Sequence, residues 1–367
     1  MSAAKKDPIK LGHIWREIIA KDGKFGTDKD PSKSLGYPPD KLVRAYFRQW
    51  RPIKEKNEGK RHLAFDESGK KIDSFDAYSD SWFDYPTIIQ SKMGGLSWQN
   101  YNCLIALHVP ACTLECWHCY VTDDSKNAQE MFRKGAIEYV TPADVVDAFL
   151  EQKKVNEENN GEKVPTNVIR VTGGEPLLAP DLILGFLEEL DKRGLSKEIF
   201  VWTETNLTPF LKDPASDRPM VESWVDLKKL AEHRNFAVHP CLHGICATNF
   251  SWITGCDPYY FEGILEALKT LIDFKFDIYP TFGSDVSPPD MVPYIFRRLK
   301  DIRANLPQKF ALIDFELTYP PTKKRIVETL KPEEIYNKVA VVSAWNNLIK
   351  HDYGEDYPCQ PRHLVSL

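Results

Sequence analysis

The sequence predicts an α/β fold, namely an open partial (βα)6 barrel of parallel strands with an N-terminal extension and a short C-terminal tail. From about Asn102 onward, short apolar runs typical of buried parallel strands alternate six times with longer amphipathic runs typical of helices. Alternation of this kind implies a parallel sheet with right-handed crossovers. Six units are too few to close like the eight of a complete (β/α)8 barrel, so we expect an open sheet.

Each predicted strand is a short apolar run bounded by polar or turn-forming residues. The six predicted strands are Cys103–Val109, Asn167–Thr172, Glu198–Thr203, Phe236–Leu242, Phe276–Phe282 and Phe310–Thr318. Among the helices between them, one begins at Thr141-Pro142, which places a capping Thr before a Pro at the first helical position. Another spans Pro258–Phe274, where apolar residues recur at helical spacing.

Three segments are expected along the chain. Residues 1–98 form an N-terminal extension packed on the core, residues 99–350 form the barrel, and residues 351–367 form the tail. The extension shows no clear strand alternation, but it contains many aromatic residues, which argues against disorder. Within it, Lys41–Trp50 has one apolar side and is predicted to form a helix.

Charge is distributed unevenly. The net charge of the chain is −5, yet residues 1–71 contain 18 Lys and Arg against 10 Asp and Glu. A basic segment on an acidic body could guide an anionic partner, or it could be a solvated face that pairs with the acidic body. No motif of a nucleic-acid-binding module accompanies the charge, which favours the second interpretation.

Cysteine usage and the N-terminal sequence bear on the cellular compartment. The chain starts with polar residues that do not resemble a signal peptide, and no apolar stretch has the length of a membrane span. Eight cysteines, three of them in one short run, do not suggest a disulfide framework in a chain of 367 residues. We therefore expect a cytoplasmic protein with no membrane partner.

Three cysteines carry the strongest functional indication. Cys112, Cys116 and Cys119 lie in a C-x3-C-x2-C run that suits a cube-shaped iron–sulfur cluster. Such a cluster has four irons, so three thiolates leave one iron open to a ligand that is not protein, and an open metal position is where chemistry occurs. The alternative is a zinc site completed by His108 or His118.

A second motif follows the second predicted strand, which ends in Thr172-Gly173-Gly174-Glu175-Pro176. A pair of glycines at the carboxyl end of a strand allows backbone to approach a ligand closely. A carboxylate beside them can accept hydrogen bonds from an ammonium group. The alternative is an ordinary turn between a strand and a helix.

Together these motifs resemble the radical S-adenosylmethionine (radical SAM) superfamily. The resemblance implies a [4Fe-4S] cluster bound by the three cysteines, with the remaining iron chelated by the amino and carboxylate groups of SAM. It implies that Gly173, Gly174 and Glu175 hold the SAM amino group and that His118 lies beside the adenine. An electron from the cluster would cleave SAM to a 5′-deoxyadenosyl radical, which takes hydrogen from a substrate. SAM and an electron donor such as flavodoxin or ferredoxin would be the partners.

The other strand ends resemble the activating enzyme of pyruvate formate-lyase and its relatives. Glu204 and Asn206 follow the third predicted strand, where they could hydrogen-bond ribose hydroxyls or help to neutralise a cation. The resemblance implies that His243 contacts the SAM carboxylate, either protonated or through a neutral N–H group. The alternative for His243 is a polar residue that ends the strand. Tyr319, after the sixth strand, is expected to line the adenine.

The remaining cysteines and the reaction itself leave alternatives open. Cys241, Cys246 and Cys256 could bind a second cluster, and Cys359 could donate hydrogen or carry a methyl group, although buried structural thiols are commoner. Three functions are consistent with the sequence. The first is a radical SAM enzyme acting on a small molecule, a peptide or an RNA. The second is an activase that places a glycyl radical on a partner protein, and the third is a non-enzymatic zinc or iron–sulfur module.

Overall fold

The computed structural model describes residues 5–29, 47–49, 103–160, 166–313, 320–329, 338–354 and 365–367. Its strands are β1 (Ala20–Lys21), β2 (Lys24–Asp28), β3 (Phe47–Gln49), β4 (Cys103–Val109), β5 (Ile137–Val140), β6 (Thr166–Gly173), β7 (Phe200–Thr205), β8 (Lys212–Asp213), β9 (Arg218–Pro219), β10 (Phe236–Leu242), β11 (Thr281–Gly283) and β12 (Ala311–Ile313). Its α-helices are α1 (Pro8–Ile19), α2 (Asp123–Lys126), α3 (Ala128–Arg133), α4 (Pro142–Asn160), α5 (Pro180–Lys192), α6 (Leu227–Ala231), α7 (Ala247–Thr254), α8 (Tyr260–Asp273), α9 (Val292–Ile302), α10 (Leu306–Lys309), α11 (Pro320–Thr329) and α12 (Lys338–Tyr353).

The main sheet has seven strands in the order β12-β11-β10-β7-β6-β4-β3. The first six of these are parallel, and β3 joins the edge antiparallel to β4. Each of the six parallel strands lies beside the next parallel strand along the chain. Every crossover therefore moves by one strand position in the same direction across the sheet, as in a barrel. Within the described residues, β12 and β3 form open edges. This arrangement confirms the predicted α/β fold with a partial barrel of six parallel strands.

The helices cover the sheet as the hydrophobic spacing predicts. In α8, the side chains of Phe261, Ile264, Leu268 and Leu271 are each at most 1% exposed. Burying an apolar side chain of this size contributes about 1.5–3 kcal/mol, so one such helix face contributes substantially to stability. Where the structure describes the chain, every helix is too short or too polar to cross a membrane.

The fifth parallel strand is shorter than predicted, because β11 covers only Thr281–Gly283. Ile278 still forms an isolated bridge with Val238, and the Tyr279 amide donates to the Val238 carbonyl at 3.0 Å. The next residue is Pro280, which has no N–H group to continue the ladder. The predicted strand Phe276–Phe282 is therefore interrupted at Pro280, between the bridge at Ile278 and strand β11.

Within the described residues, the N-terminal extension contains three strands that the sequence did not indicate, namely β1, β2 and β3. Strand β2 pairs antiparallel with β5, and Phe47–Gln49 pairs with Ile105–Leu107 at the sheet edge. The helix predicted for Lys41–Trp50 is therefore wrong for residues 47–49, where hydrogen bonds to an open sheet edge outweigh a weak helical pattern. Residues 41–46 and 50 lie outside the described part of the chain, as do Tyr319 and Cys359.

Helix α1 packs against the segment that carries the three cysteines. Its Trp15 indole donates to the carbonyl oxygen of Cys112 at 3.3 Å. Its Arg16 guanidinium donates to both carboxylate oxygens of Asp181 at 2.6 Å and to the carbonyl of Leu178 at 3.1 Å. Residues 5–29 are therefore fastened both to the cysteine segment and to the start of helix α5.

We expect Arg16→Ala to lower the free energy of unfolding by about 1–2 kcal/mol, because it removes a two-pronged ion pair that is mostly shielded from water. Arg16→Lys should restore only part of that loss, since an ammonium group cannot bond both oxygens in the same geometry. Urea unfolding under anaerobic conditions measures both changes.

The matched control is Lys212→Ala, which removes the ion pair between Lys212 and Asp217, both largely exposed. Its effect should stay within about 0.5 kcal/mol. Equal effects of the two alanine variants would show that the α1 contact does not fasten the extension.

Candidate functional site

The cysteine segment that follows β4 has no regular secondary structure from residue 110 to residue 122, and several of its backbone amides are hydrogen-bonded to residues outside the segment. The bonds run from Ala111 to Ser125 (2.9 Å), from Cys112 to Lys126 (2.9 Å), from Glu115 to Thr254 (3.3 Å) and from Trp117 to Ile253 (3.2 Å). Two of these acceptors are the last carbonyls of helix α7, which would otherwise lack partners. The loop is thus held from two sides.

The glycine pair at the end of β6 packs directly on this loop. Gly173 has φ of +112°, a conformation that side chains other than hydrogen rarely allow. The Gly174 amide donates to the Val109 carbonyl and the Glu175 amide to the Ala111 carbonyl, each at 2.7 Å. A Cβ atom on Gly174 would overlap the backbone carbonyl of Ala111. The two predicted motifs are therefore in backbone contact with each other.

Glu175 is fully buried, and its carboxylate bonds to protein backbone. One oxygen accepts from the Leu177 amide at 3.0 Å and the other from the Asn206 amide at 2.6 Å. Burial raises the pKa of Glu175 to about 7, and these two hydrogen bonds act in the opposite direction. Glu175 thus ties the end of β6 to the end of β7, and its contact with SAM stays a prediction.

The three thiols of the cysteine run lie close enough for Cys112 and Cys119 to disfavour ionisation of Cys116. Burial raises the pKa of Cys112 to about 12 and also raises the pKa of Cys116. Both are therefore neutral thiols at pH 7 in the metal-free protein, and ligation must displace their protons. N–H donors already face two of the sulfurs, from Asn206 Nδ2 to Cys112 at 3.3 Å and from the Val121 amide to Cys119 at 3.4 Å.

These features fit an iron–sulfur cluster. The set supplies three thiols, one buried and two half-buried, and N–H groups directed at two of the sulfurs, which are features by which proteins bind and tune such clusters.

Helix α11 holds the far side of the loop, a contact that no pattern in the sequence predicts. The Thr322 hydroxyl donates to the carbonyls of His118 (3.1 Å) and Cys119 (2.9 Å). The Arg325 guanidinium donates to the carbonyls of Cys119 (2.6 Å) and Val121 (2.5 Å). A segment more than 200 residues away therefore fixes the backbone around the third cysteine.

His118 and His243 lie beside the cysteines as a stacked pair. Their ring centroids are 5.4 Å apart, and Nδ1 of His243 is 3.4 Å from Nε2 of His118. Burial lowers the pKa of His243 to about 4 and also lowers the pKa of His118, which is lowered further by His243. Both rings are therefore neutral at pH 7 in the protein alone, so His243 would meet a carboxylate through a neutral N–H group unless that carboxylate raises its pKa.

The same pair forms a second grouping with one cysteine. The Sγ atom of Cys116 and one ring nitrogen each of His118 and His243 lie within 4.8 Å of one another. Thiolate and imidazole are the ligands that zinc prefers. Among the described residues, this geometry favours a single metal ion over a cluster.

Polar residues line the interior of the barrel below the cysteine loop. Glu204 pairs with the buried Arg170 and accepts a hydrogen bond from Thr172, whose hydroxyl also lies 2.9 Å from that of Tyr120. Nδ1 of His239 lies 3.9 Å from the Glu204 carboxylate. Glu204 thus neutralises a cation, and that cation is the guanidinium group of Arg170 in the protein itself. Polar residues at alternate positions of an apolar strand, such as Arg170 and Thr172, are the sequence pattern that indicates this buried polar cluster.

The other described cysteines have separate surroundings. Cys241 contacts Thr281 at 3.5 Å and His239 at 3.8 Å inside the barrel. Cys256 follows helix α7, where its amide donates to the Thr254 hydroxyl at 3.2 Å. Burial raises the pKa of each of these two thiols to about 11. A second cluster formed by these cysteines stays a prediction without support from this geometry.

Gly174→Ala is expected to prevent the loop from docking, because the added methyl group meets backbone that cannot rotate away. Overpacking against side chains costs about 1–3 kcal/mol, so we expect a loss of more than about 3 kcal/mol here, together with loss of metal binding. Denaturant unfolding and iron content measure the two effects.

Gly194→Ala serves as the control, since Gly194 also has a positive φ of +73° but nothing within 4 Å of the added atom. It should cost only about 1–2 kcal/mol and leave metal binding intact. Similar losses for both variants would mean that close approach at Gly174 is unimportant.

Comparison with known proteins agrees with this site. The profile of the Radical SAM superfamily matches residues 107–296, just over half of the chain, including the cysteine run and the glycine pair. No curated protein matches the sequence. A solved structure described as "TYW1 with a lysine-pyruvate adduct bound" shares 14% identity over 60% of this chain and 70% of its own, with a TM-score of 0.36, a likeness too low to bear on function. On the extent of the superfamily match, the chain belongs to the radical SAM superfamily.

Proposed function

We propose that this protein is an enzyme that cleaves SAM reductively with a [4Fe-4S] cluster and uses the resulting radical to take hydrogen from a substrate. The observation that carries the proposal is the docking of the three-thiol loop on the Gly-Gly-Glu turn through two backbone hydrogen bonds of 2.7 Å. This contact places the three thiols and the Gly-Gly-Glu turn at one barrel rim, where ligands of parallel sheets bind.

Each residue has a role in this proposal. Cys112, Cys116 and Cys119 hold the cluster, and Gly173, Gly174 and Glu175 form the turn beside it that receives the SAM amino group. When bound, the cluster supplies the electron that breaks the sulfonium bond of SAM and so yields the hydrogen-abstracting 5′-deoxyadenosyl radical. The neutral His118 and His243 border the same space and help to exclude water.

The partners follow from the same chemistry. A reductant such as flavodoxin or ferredoxin would supply the electron, and a reducing cytoplasm would keep the three cysteine ligands free of disulfides. The substrate would be a small molecule, a peptide or an RNA that reaches the polar interior lined by Arg170, Glu204 and His239. Transfer of the radical to a glycine of a partner protein is the alternative within the same superfamily.

Anaerobic incubation of the reconstituted full chain with SAM and a chemical reductant should release 5′-deoxyadenosine. Cys112→Ala, Cys116→Ala and Cys119→Ala should each reduce that release by more than about 100-fold, because loss of a metal ligand should exceed the effect of losing an outer partner. Chromatographic analysis of the products measures the release.

Cys246→Ala is the matched control, since Cys246 is a buried thiol whose sulfur contacts the hydroxyl of Thr248 at 3.3 Å. It should retain the cluster and the activity. The proposal fails if the wild-type chain holds iron and sulfide but never cleaves SAM, or if the three alanine variants cleave it as well as the control does.

A single zinc ion is the second candidate, supported by the group of Cys116, His118 and His243. The zinc and cluster hypotheses predict opposite effects of two substitutions on metal binding. A zinc site should survive Cys112→Ala and be lost in His243→Ala, whereas a cluster should be lost in Cys112→Ala and retained in His243→Ala. Quantification of iron, sulfide and zinc in both variants after anaerobic reconstitution separates the two.

A further inference from the structure

Asn206 is the first residue after β7, and its side chain is only 6% exposed. Its carboxamide is held at both ends. The Oδ1 atom accepts from the Thr208 amide at 2.9 Å and from the Thr208 hydroxyl at 2.6 Å. The Nδ2 atom donates to the sulfur of Cys112 at 3.3 Å.

The orientation of this carboxamide follows from its partners. The Thr208 backbone N–H can only donate, so the atom that faces it must be the carbonyl oxygen of Asn206, and the NH2 group must face the sulfur. The Thr208 hydroxyl lies 2.5 Å from the hydroxyl of Thr113, the residue after Cys112. Two contacts between the same two loops therefore hold the amide against the cysteine.

The backbone of Asn206 is fixed as well. Its amide donates to the buried carboxylate of Glu175 at 2.6 Å, and Glu175 is itself tied to the Leu177 amide. The donor group thus has little freedom to leave the sulfur. Both lone pairs of Oδ1 are engaged, so a hydrogen bond from a ribose hydroxyl to that atom would have to displace Thr208.

An N–H group directed at a metal-bound thiolate has a defined electrostatic effect. Reduction adds negative charge to an iron–sulfur centre and its thiolates, and a hydrogen bond stabilises the more negative form more strongly. Hydrogen bonds to sulfur are one of the means by which proteins set the reduction potential of such centres.

We propose that Asn206 is a positioning residue that holds an N–H group on the Cys112 thiolate and thereby raises the reduction potential of the iron–sulfur centre. The inference rests on the proposed function, because it requires the cluster. It assigns to Asn206 an effect on electron uptake, in place of the ribose contact expected from the sequence.

The test uses the reconstituted full chain and an EPR-monitored redox titration without SAM. Asn206→Leu keeps the approximate shape and removes the donor, and Asn206→Asp keeps an acceptor for Thr208 but presents no amide N–H to sulfur. At a fixed solution potential, the ratio of reduced to oxidised centre should fall about tenfold in Asn206→Leu, equal to about 59 mV for one electron, and by at least as much in Asn206→Asp, whose carboxylate adds negative charge beside the sulfur.

Asn235→Leu is the matched control. Asn235 is 4% exposed, and its Nδ2 atom donates to the carbonyl of Ile199 at 3.0 Å, at the opposite end of the strands. Its titration should match the wild-type curve. If both Asn206 variants also match the wild-type curve, the inference is overturned while the proposed function stands. If the wild-type chain assembles no cluster, the proposed function fails first.

A measurement on the unaltered chain covers the case in which the variants do not fold. Protein labelled with 15N only in asparagine side chains should show a 15N hyperfine coupling to the reduced centre in pulsed EPR. A reduced centre with no such coupling would contradict the proposed contact.

Discussion

The candidate site depends on where the backbone of residues 110–122 finds its hydrogen bonds. This segment carries all three cysteines but has no helix or strand of its own, so its geometry is imposed from outside. The end of β6, the last turn of α7, Ser125 and Lys126 of helix α2, and the side chains of Thr322 and Arg325 each hold one part of it. Three regions distant in sequence and the short helix α2 that follows the segment thus determine the spacing of the three thiols.

The same constraint explains the glycine pair and Glu175. The end of β6 must lie on the cysteine loop, and only a residue without Cβ fits at Gly174. The buried carboxylate of Glu175 then links this turn to Asn206, whose amide reaches the Cys112 sulfur. Residues that first suggested ligand contacts are therefore also the means by which the protein positions its own thiols. A cluster bound here would lie in a setting whose donors are already oriented, which is how proteins tune metal centres.

The sequence predicted the parallel strands and the rim of the site well, because both depend on local patterns. Strand β10 has the predicted bounds, and the carboxyl ends of parallel strands necessarily meet at one edge. The contributions of the N-terminal and C-terminal segments were not predictable in the same way. Strand β2 pairs with a partner more than 100 residues away, and Arg325 contacts the loop from a charged helix, so neither has a periodic signature. Long-range pairing of short segments is determined by the assembled fold, and composition does not reveal it.

The central claim is that the protein leaves one iron of a four-iron cluster open for SAM. Mössbauer spectroscopy of the chain reconstituted with 57Fe, before and after addition of SAM, tests it most directly. If that iron binds SAM, one iron in four should change its isomer shift as the amino and carboxylate groups bind. A cluster whose four irons are all unaffected by SAM, or a protein that retains zinc and no iron, would contradict it.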